Sequence, residues 1–88
     1  MRVPRRWITP FASDMRRYGV IPICRDLRAR GEPVTPKAVY NWIRGDRTPP
    51  LRRALVIVDL VRERFGSEAQ LTHVNQILGH ALEVRTER

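Results

Sequence analysis

The sequence predicts an all-α fold of five short helices, a helix-turn-helix unit followed by a C-terminal helical extension. Three observations predict it. Thr9-Pro10, Thr35-Pro36 and Thr48-Pro49 each join a capping hydroxyl to the residue best suited to a first helical position. Gly19, Gly31, Gly45 and Gly66 follow apolar segments, where a glycine can close a helix. Between these signals the apolar residues recur at helical spacing. A chain of 88 residues is one small domain at most, and its core is modest.

Residues 1–8 read as a basic arm, with Arg2, Arg5 and Arg6 beside Pro4 and no apolar period. The first helix starts at the Thr9 cap, carries Phe11, Met15 and Tyr18 on one face and stops at Gly19. The second holds Pro22 in its first turn. Ile23, Cys24 and Leu27 are its apolar face, Arg25, Arg28 and Arg30 the remainder, and Gly31 its end.

A third helix spans residues 35–44, capped by Thr35 and closed by Gly45. Ala38, Val39, Trp42 and Ile43 share one face, and Thr35, Lys37, Tyr40, Asn41 and Arg44 point away from it. The fourth is expected to start at Thr48-Pro49, with Leu51, Ala54, Leu55, Val58, Val61 and Phe65 as its core stripe. Val56, Ile57 and Leu60 widen that stripe, and "ALVIVDLV" read alone suits a strand by its β-branched content. Strong caps around the run favour a helix. Ser67 and Gln70 form a capping box for a fifth helix over residues 67–82, with a frayed tail over 83–88.

Charge points to partners and not to fold. Seventeen basic residues oppose nine acidic ones, for a net +8 and a pI near 11.4. The excess is uneven: residues 1–53 carry +9 and residues 54–88 carry −1. A basic domain of this kind has the electrostatic footprint of nucleic-acid binding. The single cysteine, Cys24, rules out a disulfide within the chain. No run approaches the roughly 18 apolar residues of a membrane span. No apolar region follows the basic N-terminus, so a secretory signal is not expected, and a cytoplasmic protein is. His73, His80 and Cys24 fall short of a metal set, and no nucleophile-base pair or phosphate loop is evident. The chain is expected to be no enzyme and to need no cofactor or metal.

Two short helices joined by a turn form a helix-turn-helix pattern, whose second helix reads the DNA major groove. The string "VTPKAVYNWIRGDRTPPLRRAL" resembles the Cro-type, lambda-repressor-like helix-turn-helix of phage and prophage regulators, Cro-like or YdaS-like proteins in particular. The shared features are a polar cap, a core Val, two polar positions, a core Trp, a basic residue with Gly, and a Pro-led next helix. The likeness covers residues 21–60. It implies base contacts from Thr35, Pro36, Lys37, Tyr40 and Asn41, and phosphate contacts from Arg44, Arg47 and Thr48, continued by Arg52 and Arg53. Asn41 suits adenine and Lys37 suits guanine. Arg2, Arg5 and Arg6 suit a minor-groove arm, against the alternative of a plain tail. The "RARGEPVTP" connection is roughly two residues longer than the usual turn of 3–4 residues, which leaves the angle between the helices open.

The resulting expectation is a transcriptional regulator, a phage or mobile-element repressor that binds a palindromic operator in double-stranded DNA as a homodimer. Ile57, Leu60, Ile77 and Leu82 are the expected dimer face, unless they pack within one chain. Three alternatives stand beside it. One is an antitoxin that represses its operon and binds a toxin. Another is a protein-interaction module such as a phage-encoded inhibitor of a host protein. The third is a non-specific nucleic-acid binder.

Overall fold

The computed structural model describes residues 7–86. They form five α-helices: α1 Pro10–Tyr18, α2 Val20–Ala29, α3 Pro36–Arg44, α4 Leu51–Phe65 and α5 Asn75–Thr86. A 3-10 turn, Gly66–Glu68, follows α4, and there is no strand among the described residues. None of these helices is long and apolar enough to cross a membrane.

Two of the three Thr-Pro pairs start helices. Thr9 Oγ1 accepts the Ala12 N–H at 3.2 Å and Thr35 Oγ1 accepts the Ala38 N–H at 3.2 Å, each with Pro in the first turn. Gly19 serves two helices. It caps α1 through its N–H to Met15 O at 2.9 Å, and its own carbonyl receives the Ile23 N–H of α2 at 3.1 Å. Its φ of 97° turns the chain sharply between them.

Thr48 is not a cap, contrary to expectation. The helix α4 begins at Leu51 with Pro50 as its N-cap. A residue before proline is pushed out of the helical region, so Thr48 and Pro49 stay extended ahead of Pro49 and Pro50. The Ser67–Gln70 capping box also fails, and α5 begins at Asn75. The reason is tertiary: the Gln70 N–H donates to Asp14 Oδ2 at 2.7 Å, and the Leu71 N–H does the same at 2.7 Å. Gln76 shapes the rest of the loop, its Oε1 accepting from the Thr72 and His73 amides at 2.7 and 2.8 Å. The helix then runs through residues 83–86, which were expected to fray.

α1 packs on α2, α3 and α5, while α2 packs on α3 and α4 and α3 meets α5. Phe11, Met15, Ile23, Leu27, Val39 and Val61 are fully buried at the centre. Ile57, Leu60 and Ile77 belong to this same core and are not a dimer face. α5 folds back over α1 and α3 and turns Ile77 inward, while α4 presents Ile57 and Leu60 to the layer beneath α2. Of the expected face, Leu82 alone is exposed, at 62%.

Candidate nucleic-acid interface

Three side chains set the roll of α3. Val39, Trp42 and Ile43 are buried, which leaves Lys37, Tyr40 and Arg44 exposed and Asn41 half-buried at the edge. Its start is fixed by the Thr35 cap. Its end is fixed by Gly45, left-handed at φ 80°, whose N–H donates to Trp42 O at 3.1 Å. The base-contact candidates Thr35, Pro36, Lys37 and Tyr40 are therefore all on the surface. Thr35 also spends its oxygen on the cap.

The exit turn is a polar chain. Arg44 Nη2 donates to Asn41 Oδ1 at 2.7 Å, and the same nitrogen lies 3.1 Å from Asp46 Oδ2. Asn41 O accepts the Asp46 and Arg47 amides at 3.0 and 3.3 Å. Arg44 thus occupies Asn41 Oδ1, and the Asn41 NH2 group carries no hydrogen bond among the described residues. The side chains of Lys37 and Arg47 carry no hydrogen bond or ion pair among the described residues and can meet an outside anion.

Arg52 and Arg53 are placed differently from expectation. Arg52 Nε is 3.1 Å and Arg53 Nε 3.7 Å from the Glu32 carboxylate, which is largely buried in the α2–α3 connection. Their partner is therefore an internal acid. The connection itself, residues 30–35, is the extended turn, tied down by Glu32 N–H to Leu27 O at 2.9 Å. Thr48 is half-buried in the chain leading to α4. Arg2, Arg5 and Arg6 lie outside the described residues.

His80 is the residue that sequence reasoning missed. It is buried on α5, against the Phe11 ring at 5.2 Å between centroids. Nε2 sits 2.8 Å from Ile43 O and 3.2 Å from Trp42 O, carbonyls in the last turn of α3. Carbonyls only accept, so Nε2 bears the hydrogen. Nδ1 is then the acceptor for the Thr9 hydroxyl at 2.6 Å, and Thr9 still accepts from Ala12. One imidazole thus joins the C-terminus of α3 to the N-cap of α1. Nothing in the local sequence signals this, because Thr9 and His80 are 71 residues apart.

Burial pushes the His80 pKa below its ordinary 6.5, outweighing the carbonyls that favour its charged form. The unfolded chain therefore binds a proton that the folded chain refuses. Stability is expected to hold above pH 6.5 and to fall as the pH drops below it toward the lower folded value. Urea midpoints measured across that range check this, and the slope should vanish in His80→Gln. Burial likewise raises the Cys24 thiol, only partly offset by Arg28, so it stays a neutral thiol at pH 7. On the far side of α2, Tyr18 donates to the Asp26 carboxylate. Burial first and that bond second push Tyr18 up to about 12.

No family model, curated protein or solved structure matches this chain. Function is accordingly argued from the residues and their placement.

Proposed function

We propose that this protein is a sequence-specific DNA-binding regulator that lays α3 in the major groove. The observation that carries the reading is the rigid mounting of a short helix beside unpaired cations. Val39 and Trp42 hold its roll, Thr35 and Gly45 its ends, and Lys37, Tyr40 and the Asn41 amide edge face outward. A reading helix needs this, because base discrimination depends on a fixed angle to the groove. Arg47, exposed at the exit turn, would hold a phosphate in this reading, and the positive end of the α3 dipole favours another beside Lys37. Arg52 and Arg53, engaged with Glu32, brace the long turn in this reading and do not grip the backbone. Repression of a palindromic operator by a dimer is the regulatory form proposed with it. Any dimer face lies outside Ile57, Leu60 and Ile77.

The direct test is selection of bound sequences from a random duplex pool. A recovered palindrome is expected, and equal binding to every duplex at about 150 mM salt would sink the proposal. Two substitutions separate reading from gripping. Asn41→Ala should relax specificity at one base pair and cost about 1–3 kcal/mol at the best site. Arg47→Ala should weaken all sequences alike and lower the salt slope by about one. Binding isotherms at several salt concentrations measure both.

A further inference from the structure

The exposed apolar side chains divide by location. Among the described residues eight large ones are exposed, and Trp7, Ile8, Ile21 and Tyr40 are spread over the segments before α4. The other four are leucines in two pairs at four-residue spacing. Leu51 and Leu55 lie on α4, Leu78 and Leu82 on α5, each at least half exposed. Both pairs lead away from one cleft of about 620 Å³, where Leu55 and Val58 face Val74 and Asn75. Val74, Leu78 and Leu82 step by four residues and so form one ridge along α5. Leu51 and Leu55 form the matching ridge on α4. At the far end Gly45, shortly before α4, lies close against Val84 near the end of α5. The two helices therefore run in opposite directions along one groove, with a leucine ridge on each bank.

Single exposed leucines are ordinary, but a contiguous apolar patch marks a binding surface. Charge decides what covers this one. Residues 1–53 carry +9, so most approaches between two copies of the chain are repulsive. Residues 54–88 carry −1 and hold three of the four leucines. Arg52 and Arg53, beside the fourth, are drawn to Glu32. This is accordingly the side on which two copies meet with least repulsion. The cleft also holds both an acid and a base, Asp59 and Arg62, one turn apart on α4. Neither has an ion pair within the described residues, although the Asp59 charge reaches Arg30. A partner surface of one charge sign would satisfy one of them and repel the other, whereas a second copy brings both signs. The chain's own residues 1–6 hold three arginines and are a poor cover for leucines.

We propose that the α4–α5 groove is the docking surface for a second copy of this chain, the leucine ridges of one copy packing against those of the other about a two-fold axis. The two helices have 15 and 12 residues and are about 22 and 18 Å long. A face of that extent lies near the lower end of specific interfaces, about 1,200 Å² in total, which suits a reversible dimer. The face supplies the second copy that the regulator reading calls for. It rests on that reading only for its use on DNA, because association is measured without DNA.

Sedimentation velocity on the full chain, from about 1 to 100 μM, tests it. The mass is expected to rise with concentration toward twice the 10.3 kDa of one chain. Leu55→Glu and Leu78→Glu should each raise the dimer Kd at least about tenfold, since each change occurs twice across a two-fold face and sets a carboxylate among apolar groups. Ile21→Glu, an equally exposed apolar site on α2 away from the groove, should leave the Kd unchanged. An unchanged circular dichroism spectrum shows that each variant is folded.

A dimer lost in both leucine variants and kept in Ile21→Glu would support the proposal. A chain that stays monomeric throughout would overturn it and leave the groove to a different protein, as would a dimer that survives both leucine variants. Duplex selection separates this result from the regulator reading. A chain that dimerises through the groove yet binds every duplex alike keeps the face and loses the regulator. A monomer that selects a single half-site keeps the regulator and loses the face.

Discussion

Asp14→Ala is expected to lower the free energy of unfolding by about 3 kcal/mol, because it removes the shared acceptor of two loop amides, one of them buried. The carboxylate is fully buried on α1. Its Oδ2 accepts the Gln70 and Leu71 amides, both at 2.7 Å, and its Oδ1 accepts from Arg17 Nη2 at 2.9 Å. Alanine leaves the buried Leu71 amide and the part-buried Gln70 amide without an acceptor, and an orphaned buried donor costs about 1–3 kcal/mol. The lost bonds are also of the stronger, charge-assisted kind. Arg17 loses less, since it is 38% exposed, stacks on Phe65 and donates to Glu68 O at 3.1 Å. For a domain of this size about 3 kcal/mol is a shift of roughly 12–24 °C in Tm. Thermal unfolding followed by circular dichroism measures it. A loss below about 1 kcal/mol would mean that the loop amides find water once the carboxylate is gone.

The same carboxylate explains where sequence reasoning stopped. Thr9-Pro10 and Thr35-Pro36 were legible because a cap closes on an amide three residues away. The roll of α3 was legible because Val39, Trp42 and Ile43 lie on one side of a single short helix. Thr48-Pro49 failed on a local rule: the second proline, Pro50, bars Pro49 from the helix. Ser67 and Gln70 failed on a distant one. Asp14, 56 residues from Gln70, takes the amide before any cap can form. Likewise Ile57, Leu60 and Ile77 looked like surplus apolar surface on isolated helices. Which faces close on a neighbour is decided by how α5 returns over α1 and α3, and helical periodicity does not contain that.

The long α2–α3 connection shows the same division. Its extra residues were visible in "RARGEPVTP". Its anchoring was not, because the acid in the turn and the two arginines on α4 each look like ordinary surface charges in sequence. Glu32 lies against Arg52 and Arg53, so charges expected to meet DNA instead fix the turn that sets the angle of α3. The exposed end of this pairing is weak, since Arg52 is 85% exposed. The buried carboxylate gives it direction.

Gly45→Ala is expected to cost about 3 kcal/mol, from two terms that a second glycine separates. Gly45 has φ 80°, where an L-residue crowds its own carbonyl at about 1–2 kcal/mol. An added Cβ would also stand 2.8 Å from both Cβ and Cγ1 of Val84 on α5. That contact is with a β-branched side chain near its own backbone, which cannot swing aside, so α5 itself must shift. Overpacking of this kind costs about 1–3 kcal/mol. Gly31 has the same φ of 80° with nothing within 4 Å of its would-be Cβ. Gly31→Ala should therefore show the backbone term alone, and the difference between the two variants is the energy of the α3–α5 approach. In a Val84→Gly background that difference should shrink, since the clashing side chain is gone. The displacement also reaches α3, the helix proposed to read DNA. α5 holds the end of α3 both at Gly45 and through His80 to the Trp42 and Ile43 carbonyls, so Gly45→Ala should weaken duplex binding where Gly31→Ala does not. Equal costs for the two alanines, by urea unfolding, would mean that α5 gives way at Val84 and does not set the position of α3.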